Sequence, residues 1–271
     1  MRTYKRILTI AGSDSGGGAG IQADIKTITM HGCYAMSAIT AVTVQNTLGV
    51  QSVMGVAPEV VGAQVTSVLS DIGADAVKIG MLYSTDVVCA VADALEKYPV
   101  KNMVLDTVLL STSGKRLLME KGVETMKECL FPMATVVTPN IPEASVLSGE
   151  EIESLEDMRR VSKLLSEKYE TSFLVKGGHL KQDDLTDVLY DFSTHRHYEY
   201  TSKRMETKNT HGTGCTLSSA IACNLSEGNS LNVSIEKAKS YLNEAMKSGS
   251  AYLIGNGKGP MNHFFYLSNE L

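Results

Sequence analysis

Six short apolar runs, RILTIAG (6–12), SAITAVTV (37–44), DAVKIG (75–80), NMVLD (102–106), ATVVTPN (134–140) and SFLVKGG (172–178), recur along the chain with helix-patterned segments between them. That alternation is the signature of crossover connections, and it predicts an α/β fold with a central, mostly parallel β-sheet flanked by helices on both faces. In GIQADIKTITMHG (20–32), Ile21, Ile25 and Ile28 recur at helical spacing and Gly32 offers a stop. A second helix is expected after Ser154, where Ser154 and Asp157 form a capping-box-like pair and Leu155, Met158, Leu164 and Leu165 supply apolar positions. Residues 187–207 alternate differently and predict a small antiparallel hairpin added to the sheet. His195 and His197 would face one side of such a strand, as a metal pair does, but no third ligand lies nearby in sequence and an exposed hairpin is expected instead. With 271 residues, 43% hydrophobic content and no repeat, linker or low-complexity tract, residues 1–271 read as a single domain.

Each run gives way to small or polar groups. Gly12 to Gly20 follow the first, Gln45 and Asn46 the second, Met81 the third, Asp106 the fourth, Asn140 and Glu143 the fifth, and Lys176 to His179 the sixth. Open parallel sheets bind ligands outside the carboxyl ends of their strands, so these groups are expected to converge on one crevice.

Two glycine-rich loops compete to be the phosphate site. The first, GSDSGGGAG, has P-loop spacing at Gly12 and Gly17, but Gly18 and Ala19 stand where Lys and Ser/Thr are required. Gly18, Gly20 and Ala23 match the relaxed dinucleotide fingerprint, yet the next strand ends in amides and not in the acidic residue that would take the ribose hydroxyls. The second loop, NTHGTGC, runs directly into an apolar helical segment. Gly212 and Gly214 let backbone N–H groups turn inward and the helix N-terminus adds its positive end, which favours an anion. Cys215 at that turn is expected to have a lowered pKa and to serve as a base.

Composition narrows the partners. A net charge of −5 with scattered Lys and Arg gives no basic patch for nucleic acid, so a small molecule is expected. Five cysteines at irregular spacings argue against a disulfide framework or paired zinc ligands and fit a reducing cytoplasm. The apolar run after the basic N-terminal residues is too short for a signal segment, and no later run approaches a membrane span, so no membrane partner is expected.

AGSDSGGGAGIQADIKT, TVQNTLGV, AVKIGML, TPNIPEA, VKGGH, THGTGCTLSSAIA and GNGKGPMNHF, in this order from about Ile7 to His263, resemble the bacterial hydroxymethylpyrimidine/phosphomethylpyrimidine kinases of thiamin biosynthesis, members of the ribokinase-like superfamily. The resemblance implies two successive MgATP-dependent transfers, to the hydroxymethyl group of 4-amino-5-hydroxymethyl-2-methylpyrimidine and then to the resulting monophosphate. It implies that the first glycine loop lines the acceptor pocket and that ATP phosphates meet the later G-T-G-C loop. Asp24 and Gln45 match the positions that bind the aminopyrimidine, although Asp24 also reads as a carboxylate stabilised by a helix dipole. Gly12, Ala19, Met81 and Val108 would shape the slot, with plain core the alternative for Met81. Lys176 matches the phosphate-contacting lysine, which taken alone reads as a surface charge, and Asp106, Asn140 and Glu143 match the residues that organise Mg2+. The backbone of Gly212, Thr213, Gly214 and Cys215 would form an anion hole, with Cys215 where most of the superfamily has an aspartate base. GNGKG is expected to form a loop near the nucleotide base.

The family implies a homodimer. One departure stands out: Thr107 replaces the usual proline and frees the backbone after Asp106, and Leu109 replaces the usual methionine. The rival readings are a pyridoxal or pyridoxine kinase of the same fold, against which TVQNT favours the aminopyrimidine, a dinucleotide-dependent oxidoreductase, and a nucleotide-binding sensor without catalysis.

Overall fold

A computed structural model describes residues 3–109, 117–178 and 184–267. His179 and most of the stretch after Leu109 lie outside the described residues. Nine strands form one sheet among the described residues, in the order β3-β2-β1-β4-β5-β6-β7-β8-β9. The strands are β1 (Arg6–Asp14), β2 (Tyr34–Asn46), β3 (Gly49–Gly55), β4 (Ala76–Ile79), β5 (Met103–Leu105), β6 (Val136–Val137), β7 (Ser172–Val175), β8 (Asp184–Asp191) and β9 (Arg196–Lys203). From β2 through β7 neighbouring strands are parallel, while β3, β8 and β9 each pair antiparallel.

All six predicted runs fall on parallel strands and the predicted hairpin becomes β8 and β9. β3 is an addition, joined to β2 by a tight turn; its mostly solvated residues, GVQSVMG, carry no continuous apolar run that would mark a strand. β9 begins at Arg196, so His195 belongs to the turn with φ +52 and shares no strand with His197.

Side-chain alternation builds the two core layers. Leu8, Ile10, Val77, Ile79, Leu105 and Val137 face one layer. There they meet α2 (Pro58–Asp71), α3 (Thr85–Lys97), α4 (Glu120–Cys129), α5 (Ile141–Ser148) and α6 (Leu155–Tyr169). Ile7, Ala76, Val104, Val136 and Leu174 face the other, against α1 (Gly20–Met30), α7 (Thr213–Ser226) and α8 (Leu231–Gly249). Thr9 and Lys78 are Cα partners across β1 and β4 and, by the same alternation, point into the second layer. A lysine there must find a counter-charge, because an isolated buried ammonium is very unfavourable.

Two helices pack differently from their apolar spacing. In α1 the buried face is Ile21, Ala23, Asp24, Thr27 and Ile28, and Ile25 is 36% exposed. In α6 Met158 and Leu165 are buried but Leu164 is 41% exposed. The Ser154–Asp157 capping box forms in full. At its other end, α6 closes on Glu170 in the left-handed region, φ +53. A side chain there costs about 1 kcal/mol or more relative to glycine. Glu170→Gly is therefore expected to raise the unfolding free energy by about 1 kcal/mol, read as a higher urea midpoint with an unchanged slope.

Candidate active site

The parallel strands end at a cleft of about 790 Å³. The sequence-predicted residues line it together, with Asp24 the exception: Gly12, Ala19, Gln45, Met81, Val108, Asp106, Asn140, Glu143, Lys176, Gly212, Thr213, Gly214 and Cys215. Alternation on β2 explains Gln45. It turns Thr43 and Gln45 toward the cleft and Val42 and Val44 away from it.

The second glycine loop lies against the first. Gly212, the N-cap of α7, has φ +85, and a Cβ built there would collide with the carbonyl oxygen of Gly18. At Gly214 a Cβ would come 3.3 Å from Asp106 Oδ2 and 3.4 Å from Lys176 Nζ. The first turn of α7 thus touches the Lys176–Asp106 pair, and N–H groups in a first turn lack intrahelical acceptors. Lys176 Nζ donates to Asp106 Oδ1 at 2.7 Å, and Thr138 Oγ1 donates to the same oxygen at 3.1 Å. Burial alone would push the Asp106 carboxyl up, but the Lys176 and Lys78 charges and these hydrogen bonds outweigh it and hold it below the ordinary carboxylate range.

Asn140 and Glu143 form the capping box of α5, each side chain accepting from the other's backbone N–H. Thr107 Oγ1 also donates to Glu143 Oε2 at 3.1 Å. The residue that departs from the family pattern therefore supplies a donor that proline lacks, and the geometry beside Asp106 is tied down by it. Burial pushes Glu143 up to about 7, against the pull of Lys176. No three His, Cys, Asp or Glu residues among the described residues form a metal cage. Mg2+ asks for less: one or two carboxylates, with waters and substrate phosphates completing its shell. Asp106, Glu143 and the Asn140 amide are hard oxygen donors on one wall, and a dication would supply the positive charge that burial leaves Glu143 without.

Asp24 corrects the sequence reading. It is fully buried beneath the cleft, in the second turn of α1, beyond the reach of the helix end. Lys78 Nζ lies 2.9 Å from Oδ1 and 2.8 Å from Oδ2, Ser219 Oγ donates to Oδ1 at 2.9 Å, and Thr9 Oγ1 donates to Oδ2 at 2.6 Å. Both oxygens are used, so Asp24 presents nothing to a pyrimidine; it holds Lys78. Burial of Lys78 works against its charge, but Asp24 reverses the balance and keeps the ammonium firmly protonated.

Cys215 lies one turn above Ser219 on α7 and opens onto the cleft. Here too the expectation changes. Burial pushes the thiol up to about 11, with Asp24 and Asp106 adding to it and Lys78 opposing, so the helix end does not prevail.

Three cleft residues, Asp14, His211 and the Lys78 described above, are not singled out by the sequence. Asp14, the one carboxylate of the first glycine loop, accepts from the N–H groups of Gly16, Gly18 and Ala19 at 2.8, 3.0 and 2.9 Å. His211, just before the anion loop, has Nε2 at 2.9 Å from Asp14 Oδ2 and 3.2 Å from the Gln45 amide. A lone carboxylate in a glycine run and a lysine inside an apolar strand were the available signals for Asp14 and Lys78.

Comparison with known proteins places this cleft in context. The chain is 46% identical over 257 residues to a thiamine biosynthesis bifunctional protein of Geobacter sulfurreducens; the match covers 95% of this chain but 52% of that longer protein. It is 42% identical over 272 residues to the hydroxymethylpyrimidine/phosphomethylpyrimidine kinase of Bacillus subtilis, covering 100% of this chain and 98% of the relative. In structure it resembles the pyridoxal kinase of Staphylococcus aureus solved in complex with ADP, with a TM-score of 0.89 at 33% identity over 98% of this chain and 95% of that one. The family model for phosphomethylpyrimidine kinase matches residues 14–262, from the Asp14 loop through the anion loop to the C-terminal GPMN segment. With its ribokinase-like sheet and this match over nearly its whole length, the chain belongs to the phosphomethylpyrimidine kinase family.

Proposed function

We propose that residues 1–271 act as one kinase domain. It moves the terminal phosphoryl group of ATP to the hydroxymethyl oxygen of 4-amino-5-hydroxymethyl-2-methylpyrimidine, and then a second phosphoryl group to the phosphate of that product. The observation that carries this reading is the convergence of three groups on one cleft: the Gln45 amide, the Lys176–Asp106 pair, and the α7 N-terminus with Cys215. The kinase name of the B. subtilis relative and the ADP bound by the S. aureus neighbour support it.

In this reading Gln45 pairs with the aminopyrimidine edge while Gly12, Ala19, Met81 and Val108 shape the slot. Lys176 and the N–H groups of Gly212 to Cys215 neutralise charge on the group in flight. Asp106, Asn140 and Glu143 would hold Mg2+ and its waters, and the ion when bound draws charge from the phosphate oxygens. Cys215, in its thiolate form, takes the hydroxyl proton of the first acceptor. The second acceptor is already an anion and has no such proton to lose. GNGKG reaches the cleft through Lys258 and packs on the β2–β3 turn near Gln45, where the Lys258 N–H donates to the Thr47 carbonyl at 2.9 Å.

The test is mass spectrometry of products after incubation with MgATP and each acceptor separately: hydroxymethylpyrimidine, its monophosphate, pyridoxal, or none. Pyrimidine mono- and diphosphate support the proposal. Pyridoxal phosphate alone would overturn the acceptor assignment, and the likeness to the S. aureus pyridoxal kinase makes that arm necessary.

We further propose a homodimer formed through the β2–β3 hairpin. Val42 and Val44 face outward from β2 at 41% and 58% exposure, Met54 pairs across from Val42 at 67%, and Leu48 at the tip reaches 69%. Such an apolar strip at a sheet edge invites a partner. Sedimentation equilibrium is expected to read twice the 29.2 kDa chain mass, and Val44→Glu with Met54→Glu to return it to one chain. A monomeric wild type would remove the proposal.

A further inference from the structure

The end of β2, the first glycine loop and the residue before the anion loop meet at Gln45, Asp14 and His211, and their hydrogens can be assigned by elimination. Three backbone N–H groups converge on the Asp14 carboxylate. Burial works against its charge, but these donors and His211 hold its pKa below the ordinary value, so it is an acceptor only. His211 Nε2, 2.9 Å away, must then carry a hydrogen. A nitrogen that carries a hydrogen cannot accept one, so the Gln45 amide atom 3.2 Å from it is the oxygen, which shares the single Nε2 hydrogen with Asp14 Oδ2 in a three-centre bond. This assignment exchanges the amide's oxygen and nitrogen, so that its NH2 in place of Oε1 lies 3.1 Å from Thr43 Oγ1, which is free to accept because its own hydrogen goes to the Ser13 carbonyl at 2.9 Å. The two assignments agree.

We infer that His211 is a specificity-determining positioning residue: backed by Asp14 and opposed by Thr43, it locks the Gln45 amide in one orientation. One N–H and one carbonyl lone pair are then left side by side toward the cleft. That edge matches a ring nitrogen next to an exocyclic amine, an acceptor beside a donor, in one order only. Reversing the ring would exchange the two groups and carry the hydroxymethyl arm to the wrong side. A ligand edge with two adjacent acceptors leaves one of its atoms facing the amide oxygen. The inference rests on the proposed aminopyrimidine acceptor and adds which residue makes the choice.

The test separates the donor from the bulk of the ring. His211→Phe keeps a ring but no donor, and His211→Gln restores an N–H near the position of Nε2. Calorimetric titration with hydroxymethylpyrimidine, without ATP, is expected to show binding weakened about 10- to 100-fold in His211→Phe and largely recovered in His211→Gln. In steady state the His211→Phe loss should fall on KM for the pyrimidine and leave KM for ATP in place. Thr43→Val, which removes the other side of the lock, should weaken pyrimidine binding as well, with a double variant less than additive. This second route serves if His211→Phe does not fold. Equal pyrimidine affinity in wild type and His211→Phe, or parallel losses for ATP and pyrimidine, would overturn the inference. A wild type that neither binds nor phosphorylates the pyrimidine would instead sink the acceptor reading itself.

Discussion

Lys78→Met is expected to lower the free energy of unfolding by about 3–5 kcal/mol, the range for stripping one partner from a buried ion pair. The geometry leaves Asp24 no escape. Its carboxylate is fully buried between β1, β4 and α7, and with Lys78 gone only the Thr9 and Ser219 hydroxyls would face it. It must then stay charged without a counter-ion or take up a proton, and both are unfavourable in the native state. The double variant Lys78→Met with Asp24→Leu removes both charges and is expected to recover most of the loss. Urea denaturation of the two single variants and the double one, analysed as a cycle, measures this. A cost under about 1 kcal/mol for Lys78→Met would mean that the pair does not behave as a buried one.

The second large effect concerns Cys215. With its thiol pushed up to about 11, roughly one molecule in 10⁴ carries the thiolate at pH 7. In the proposed reaction the deprotonated form is the base, so the rate of the first transfer should climb about tenfold per pH unit through the neutral and mildly alkaline range. Had the helix end lowered the pKa, the profile would already be flat there. The second transfer, to an anionic acceptor, should lack this limb. Cys215→Ala should slow the first transfer by about 10²-fold or more at pH 8 and abolish its alkaline rise, while changing the second far less. Steady-state assays of each acceptor between pH 6.5 and 9.5 decide the matter. Equal losses in both steps would show that Cys215 serves packing or anion binding and not proton removal.

These two sites also show where sequence reading reaches and where it stops. The parallel strands were legible because burial on both faces demands continuous apolar runs, and the cleft because polar groups at strand ends converge in any open parallel sheet. Gln45, Asp106, Lys176 and the G-T-G-C loop follow from that rule and from the family pattern. Asp24 does not. Its place on a helix gives no sign that Lys78, 54 residues away, consumes its charge. The Cys215 pKa was misjudged for a related reason: a helix end is a local feature, but the desolvation that outweighs it comes from strands and loops far apart in sequence. β3 escaped notice because a solvated edge strand needs few apolar residues, and Ile25 because a buried carboxylate had taken the place in the stripe that periodicity assigned to it.

The collision that any side chain at Gly212 would make with the Gly18 carbonyl has an evolutionary reading. The loop proposed to shape the acceptor slot and the loop proposed to receive the anion are far apart in sequence but in contact, so neither can drift in length or composition without the other. A lineage exploring new acceptors inherits the phosphate-binding half as a boundary condition. Diversification is then channelled away from this seam and toward cleft-lining side chains outside the two loops, such as Met81 and Val108.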